Sequence, residues 1–329
     1  MKKKILLMGR SGSGKTSMRA LVFSAYKARD TERLGQTLDV EHSHVRFLGN
    51  LVLNLWDCGG QGSYLASYLD DRRQQVFGRV GVLIYVFDLV GEDNWQKDMQ
   101  AYKECLAALQ ANSPQAHVFC LLHKMDLVEA PRRRSVYASR VEDLRKKSQG
   151  SNIDCFGTSI MDETIYQAWS KILQVLIPNV DALERQLNHF ARLNSAEEVV
   201  IFEQTTFLVI CKSHQQKALQ DGMEEEEGGG GEEEEEEKKG QLYPGRFGKI
   251  SQQVKELRGS CQKLQSTFQA IELRTGSGLT AYLDILTPNT YIMVISADQQ
   301  VELSAIKLNV QLARESFEQS LSLSLNNSM

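Results

Sequence analysis

The stretch Gly9-Arg10-Ser11-Gly12-Ser13-Gly14-Lys15-Thr16 carries the residue types best suited to chemistry in this chain. It fits G-x-x-x-x-G-K-[ST], a spacing suited to polyphosphate. Glycines let the backbone curl so that its N–H groups converge on phosphate oxygens, and a helix starting at the same point adds positive potential. Arg10, Ser11, Gly12, Ser13 and Gly14 are therefore expected to line the phosphates, with Ser17 in the first helical turn beyond them. Lys15 supplies a point charge to the terminal phosphates. The Thr16 hydroxyl is a hard oxygen of the kind Mg²⁺ prefers.

Further groups complete such a site. Asp57-Cys58-Gly59-Gly60-Gln61 follows an apolar run ending at Trp56. The Asp57 carboxylate suits Mg²⁺, Gly60 brings an N–H to a γ-phosphate without a side-chain clash, and the Gln61 amide can orient an attacking water. Thr37 lies between these phrases in a polar segment. Its hydroxyl would join the Mg²⁺ shell only when a γ-phosphate is present, so hydrolysis would release the segment. Thr31 in the same segment is a further nucleotide candidate.

His123-Lys124-Met125-Asp126 points to the base. Asp126 can accept from both N1–H and the N2 amine of guanine, whereas adenine lacks that amine and presents a lone pair at N1. Discrimination by such pairing is large. The stem of Lys124 can lie over the base, and the His123 imidazole offers one donor and one acceptor where Asn is usual. Ser159 and Ile160 follow another short strand, and their N–H groups could meet the base oxygen. His42 and His44 share a strand face with no third ligand and read as structural.

The elements that must position these residues come in two grammars. Residues 1–177 alternate apolar runs with helical patterns: 5–8, 45–48, 51–56, 82–87 and 118–122 read as strands, with Gly49-Asn50 as a hairpin turn. Met18, Leu21, Val22 and Ala25 mark one helix face, and Ile165, Trp169, Ile172 and Leu176 another. This predicts a mostly parallel, doubly wound α/β domain. After Pro178, residues 178–320 read as an α+β domain. Helices are marked by Val180, Leu183, Leu187 and Phe190, by Ile250, Val254, Leu257, Cys261 and Leu264, and by Val301, Ala305, Leu308 and Leu312. Strands are expected at 199–202, 207–211, 268–273, 281–286 and 291–295. Residues 321–329 form a tail.

The acidic stretch 224–239 holds ten Glu, two Lys and four Gly. Like-charge repulsion and glycine entropy predict a disordered insertion over about 215–245, read as a tolerated surface loop. The formal net charge of -4 arises there, since the rest of the chain carries +4. Nothing in that balance marks a nucleic-acid binder. The six Cys form no CxxC pair, so reduced thiols are expected rather than zinc or disulfides. No apolar run reaches the roughly 20 residues of a membrane span. The ending Asn-Asn-Ser-Met is no prenylation box, and Lys2 stands where myristoylation needs glycine. Membrane association is expected only through a partner.

These phrases, with Thr37-Leu38-Asp39-Val40-Glu41-His42-Ser43-His44, resemble the Rag GTPase family, the A/B type more than the C/D type. The resemblance covers nearly the whole chain, and the second domain resembles that family's roadblock-type dimerisation domain. His123 in place of Asn is itself a family feature. The resemblance implies GTP/GDP and Mg²⁺ as cofactors and a heterodimer with a C/D-type Rag subunit. It also implies GTPase-activating and exchange factors, and a scaffold complex that holds the dimer peripherally on the lysosome or vacuole. In the family, the GTP-loaded A/B-type subunit recruits the amino-acid-responsive TOR kinase complex. Gly62-Ser63-Tyr64 departs from the family pattern and bears on effector or activator contacts. Hydrolysis is expected to be slow, since no catalytic arginine is evident in cis, and to be accelerated about 10³–10⁵-fold by an activating protein. A GTP-binding scaffold with negligible hydrolysis is the alternative. A P-loop ATPase or nucleotide kinase is disfavoured by Asp126 and by the lack of an apolar strand ending in paired acids.

Overall fold

The computed structural model describes residues 2–24, 26–35, 37, 40–47, 51–59, 72–90, 92–148, 151–177, 180–213, 246–276 and 278–326. The first half runs β1 (Lys2–Met8), α1 (Lys15–Phe23), β2 (Val40–Phe47), β3 (Leu51–Cys58), α2 (Arg73–Phe77), β4 (Val80–Asp88), α3 (Glu92–Asn112), β5 (His117–His123), α4 (Arg133–Lys147), β6 (Ile153–Thr158) and α5 (Thr164–Leu176). Its six strands lie in the order β2-β3-β1-β4-β5-β6. All neighbours are parallel except β2 and β3, which pair antiparallel from Val40 opposite Cys58 to Phe47 opposite Leu51. The central strands are apolar without alternation because helices cover both faces; Ile5, Leu6, Leu7, Val82, Leu83, Ile84, Leu121 and Leu122 are all fully buried. Strand β2 starts at Val40, well before the apolar run that marks it in sequence. His42 and His44 occupy its exposed positions, with His42 edge-on to Trp56 and His44 hydrogen-bonded to Asn54. The hairpin turn at Gly49-Asn50 lies outside the described residues, as does Ala25.

The second half runs α6 (Val180–Leu193), β7 (Glu198–Glu203), β8 (Val209–Lys212), α7 (Arg246–Lys263), β9 (Ile271–Arg274), β10 (Thr280–Thr287), β11 (Thr290–Ser296) and α8 (Leu303–Asn326). Its antiparallel sheet has the order β8-β7-β11-β10-β9. The two-residue period of a strand divides its side chains between two cores. Val199, Ile201, Ile292 and Val294 face the core shared with α5, α6 and α8. Val200, Phe202, Tyr291, Met293 and Ile295 face α7 through Phe247 and Val254. Pro178 and the acidic stretch 224–239 lie outside the described residues.

Helix α5 joins the halves. Sequence spacing marks one apolar face, but the structure also buries Tyr166, Ala168, Ser170 and Leu173. Within it only Lys171 and Val175 are exposed, and Ile165 and Trp169 belong to a core containing both Val82 of the first sheet and Ile201 of the second.

Two expected faces are corrected. In α8 the buried stripe is Leu303, Ile306, Val310, Phe317 and Leu321, while Leu308 and Leu312 are 55% and 71% exposed. The helix carries two stripes at compatible spacing; Val301 precedes its start, and only the stripe reaching Phe317 meets the sheet. In α7 Val254 is buried, but Leu257 is exposed and Leu264 lies past the helix end, also exposed. Strand β9 is an edge strand shorter than the run 268–273 suggested. Among the described residues no helix is long and apolar enough to cross a membrane.

Candidate functional site

The carboxyl ends of β1, β3, β5 and β6, with the loops that follow them and the first turn of α1, carry every described candidate except Thr31 and Thr37, which lie between α1 and β2. Strand β1 lies between β3 and β4, where the strand order reverses, the place at which open α/β sheets bind ligands.

The cradle itself is a tight fit. Gly9 has φ of +137°, and a Cβ there would meet the Val86 carbonyl oxygen at 2.3 Å. Gly14 caps α1 at φ +94°, and a Cβ there would lie 2.7 Å from Cδ2 of His123. Only glycine adopts this backbone without strain and leaves room for its neighbours. Lys15 is buried, with its Nζ 2.8 Å from the carbonyl oxygens of both Gly9 and Arg10. Burial lowers its pKa to about 8, with the Asp57 carboxylate opposing. Ser11 and Gly12 are exposed at the rim, Ser13 is buried, and Ser17 is half-buried in α1.

Beside the cradle lie the three side chains expected to hold Mg²⁺, Thr16, Thr37 and Asp57. The hydroxyls of Thr16 and Thr37 lie 2.8 Å apart. That spacing is close to the roughly 3 Å edge of an octahedron with Mg–O bonds of about 2.0–2.1 Å. Asp57 is fully buried, and its Oδ1 has no hydrogen-bond partner. Burial raises its pKa, with the Lys15 and Arg19 charges acting the other way. Two hydroxyls and an orphaned carboxylate oxygen suit a hard cation. Among the described residues, no cluster of three His, Cys, Asp or Glu offers a rival metal site.

At the base end, His123 is buried, and its Nδ1 lies 3.0 Å from the Thr158 hydroxyl. Burial, with Lys124 adding, lowers its pKa to about 4, so the ring is neutral. Lys124 sits at φ +64° and donates from Nζ to the Gly12 carbonyl at 2.8 Å and to Asp88 Oδ2 at 2.6 Å. Its stem thus crosses from β5 to the cradle. The half-buried Asp126 carboxylate makes no hydrogen bond among the described residues, leaving both oxygens for a ligand.

Two placements differ from the sequence reading. Thr31 is buried and its hydroxyl donates to the Ala28 carbonyl at 2.6 Å, closing the 3-10 turn Ala28–Arg33 rather than facing the cradle. The Ser159 N–H donates to Thr164 Oγ1 at 2.9 Å, and Ser159 Oγ accepts from Met161 N–H. Of that pair, only the Ile160 N–H makes no hydrogen bond among the described residues. Gly60 and Gln61 lie outside the described residues.

The structure adds partners the sequence reading did not name. Arg19 on α1 reaches Asp57 Oδ2 at 3.2 Å, Ser43 Oγ at 2.9 Å and Glu41 Oε2 at 2.5 Å, tying the cradle helix to β2 and β3. Arg10 lies 3.6 Å from the buried Asp98 of α3. Burial raises Asp98 to about 7, with Arg10 opposing. Apart from opposite charge, no sequence signal links these pairs, which are separated by irregular distances along the chain.

Comparison with known proteins agrees with this geometry. A profile of the Gtr1/RagA G protein conserved region matches residues 4–254. Ras-related GTP-binding protein A of Dictyostelium discoideum is 48% identical over 326 residues, covering 99% of this chain and all of that protein. GTP-binding protein gtr1 of Schizosaccharomyces pombe is 47% identical, covering 98% of each chain. Ras-related GTP-binding protein C of Homo sapiens is 26% identical, over 61% of this chain and 51% of that one. With the phosphate cradle and the free Asp126 carboxylate in place, near-full-length identity to the A-type proteins shows that the chain belongs to the Gtr1/RagA family of Rag GTPases.

Proposed function

We propose that this GTPase is a slow, activator-dependent switch whose segment around Thr37 reports the γ-phosphate through Mg²⁺. The observation that carries this reading is the approach of Thr37 to Thr16 beside the orphaned Asp57 oxygen. Thr16, Thr37 and Asp57 would hold the ion, which when bound neutralises phosphate charge. Lys15 holds the terminal phosphates, and Asp126 selects guanine. Gln61 orients the attacking water. Loss of the γ-phosphate frees Thr37 and with it the segment leading to β2.

The wider reading places residues 1–177 as the nucleotide domain and 178–320 as a roadblock-type domain pairing with a C/D-type Rag subunit. Similarity to Ras-related GTP-binding protein C supports a partner of that related class. Leu308 and Leu312 on α8 and Leu273 on β9 leave apolar surface uncovered, as a subunit interface requires. The heterodimer would signal amino-acid sufficiency to the TOR kinase complex from a lysosomal or vacuolar scaffold.

Single-turnover hydrolysis, with and without a cell extract, tests the switch. The parent protein is expected to respond to extract by at least a hundredfold, and Gln61→Leu to bind GTP equally but not respond. Equal stimulation of both proteins refutes the role of Gln61. No stimulation of either favours a GTP-binding scaffold instead.

A further inference from the structure

A short helix leaves its last four carbonyls without intrahelical partners. In α1, the helix that begins at Lys15 and Thr16, the Ala20 carbonyl is taken by the Ser24 N–H. The next two carbonyls are met from the other half of the molecule: Lys255 of α7 places its Nζ 2.5 Å from the oxygens of both Leu21 and Val22. A cation at a helix C-terminus is favourable both for hydrogen bonding and for the helix dipole.

The cleft that Lys255 crosses is otherwise open. A cavity of about 440 Å³ lies between the end of α1 and α7, lined by Leu21, Tyr26, Tyr166, Gln252 and Gly259 as well as Lys255. Apolar packing holds the same end of the helix, with Leu21 and Val22 in the core and the Phe23 ring 4.9 Å edge-on to Trp169 of α5, and Lys255 adds the polar tie to its carbonyls. The charged groups around it are Arg258, Glu203, Glu256, Lys263 and Lys27. Arg258 is itself held by the Gln204 carbonyl, and the Glu203 carboxylate by Thr205 and Thr206. Burial, with Arg258 adding and Glu203 opposing, lowers Lys255 to about 7.

We propose that Lys255 is a positioning residue for the nucleotide site, through which the second half of the chain holds the cradle helix in its phosphate-binding pose. Its two hydrogen bonds fix the far end of the helix whose first turn presents Lys15 and Thr16. By linkage, nucleotide binding tightens the contact by the same factor that the contact tightens nucleotide binding. The inference rests on the cradle being the nucleotide site. Failure of that reading would show as no binding of labelled GDP by the parent chain, whereas failure of this inference leaves tight binding that substitution does not alter.

The test is release of a fluorescent GDP from the full chain, chased with excess GDP. Lys255→Gln is expected to release it about fivefold to thirtyfold faster, the range set by a cation at a partly buried helix end. Lys255→Arg, which keeps the charge and two donors, should recover most of the loss. Release within twofold of the parent in Lys255→Gln, whatever its melting temperature, overturns the proposal, as does failure of the arginine variant to recover. If neither variant folds, lysine acylation of the parent decides. Lys255 should be protected with GDP bound and labelled several times faster after nucleotide is stripped with EDTA. Labelling that ignores nucleotide also overturns the proposal.

Discussion

Gly14→Ala probes the contact that closes the cradle onto the base-recognition strand. Two costs are separable in the structure. The first is conformational: an L-residue at φ +94° costs about 1–2 kcal/mol. The second is steric: the new Cβ would lie 2.7 Å from Cδ2 and 2.8 Å from Nε2 of His123. That ring is buried and held at Nδ1 by Thr158, so it has little freedom to retreat. Relieving an overlap of this kind costs about 1–3 kcal/mol. The sum, about 2–5 kcal/mol, corresponds to a loss of nucleotide affinity of about thirtyfold to a few thousandfold. Equilibrium titration with fluorescent GDP measures it. A double-mutant cycle with His123→Ala separates the parts, because removing the ring abolishes the steric cost and leaves the conformational one. The cycle should show about 1–3 kcal/mol of coupling. Affinity of Gly14→Ala within threefold of the parent, or a cycle without coupling, would refute the reasoning.

Asp126→Asn should weaken GTP more than a hundredfold, since one of two acceptors for guanine becomes a donor. The same change should let xanthosine triphosphate compete, because its C2 carbonyl accepts from the new amide; unchanged GTP preference in a competition assay would exclude Asp126 from base recognition. His123 gives a pH signature. Its folded pKa of about 4 lies below the usual 6.5, so the unfolded chain binds the extra proton and stability falls as pH drops from 6.5 toward 4. At pH 5 the loss from this group is about 2 kcal/mol. Denaturation midpoints for the parent and for His123→Asn, compared at pH 7.5 and pH 5, should differ in slope by that amount; parallel behaviour would contradict the buried neutral ring.

The phosphate cradle was legible because its chemistry is local: glycines, a lysine and a hydroxyl at fixed spacing, after a strand and before a helix. Asp57 and Asp126 were legible because they sit at strand ends. What escaped were the contacts that fold the chain back on itself. Arg19 meets Asp57, Ser43 and Glu41 only after α1 packs across β2 and β3. The hydroxyl of Thr31 resembles that of Thr37 in sequence, yet a 3-10 turn claims the first and leaves the second beside Thr16. In α8, two apolar stripes share one helical period, and only the position of the sheet decides that Ile306 and Val310 go inward and Leu308 and Leu312 do not. Helix α4 has only Val141 and Leu144 buried, too few to mark it by periodicity.

Helix α5 has a consequence for how the chain is made. On the ribosome, the first half emerges complete before β7 and β8 exist. Until residues near 210 are available, Leu173 and Ser170 have no second sheet to cover them; in the finished chain Ser170 Oγ accepts from the Val209 N–H at 3.0 Å. The nascent first half therefore carries a sticky helix at its surface, and a stop codon or proteolytic cut near residue 177 would leave that state permanent. Such a fragment should be cleared by quality control rather than act as a free-standing nucleotide switch, even with every phosphate-binding residue intact.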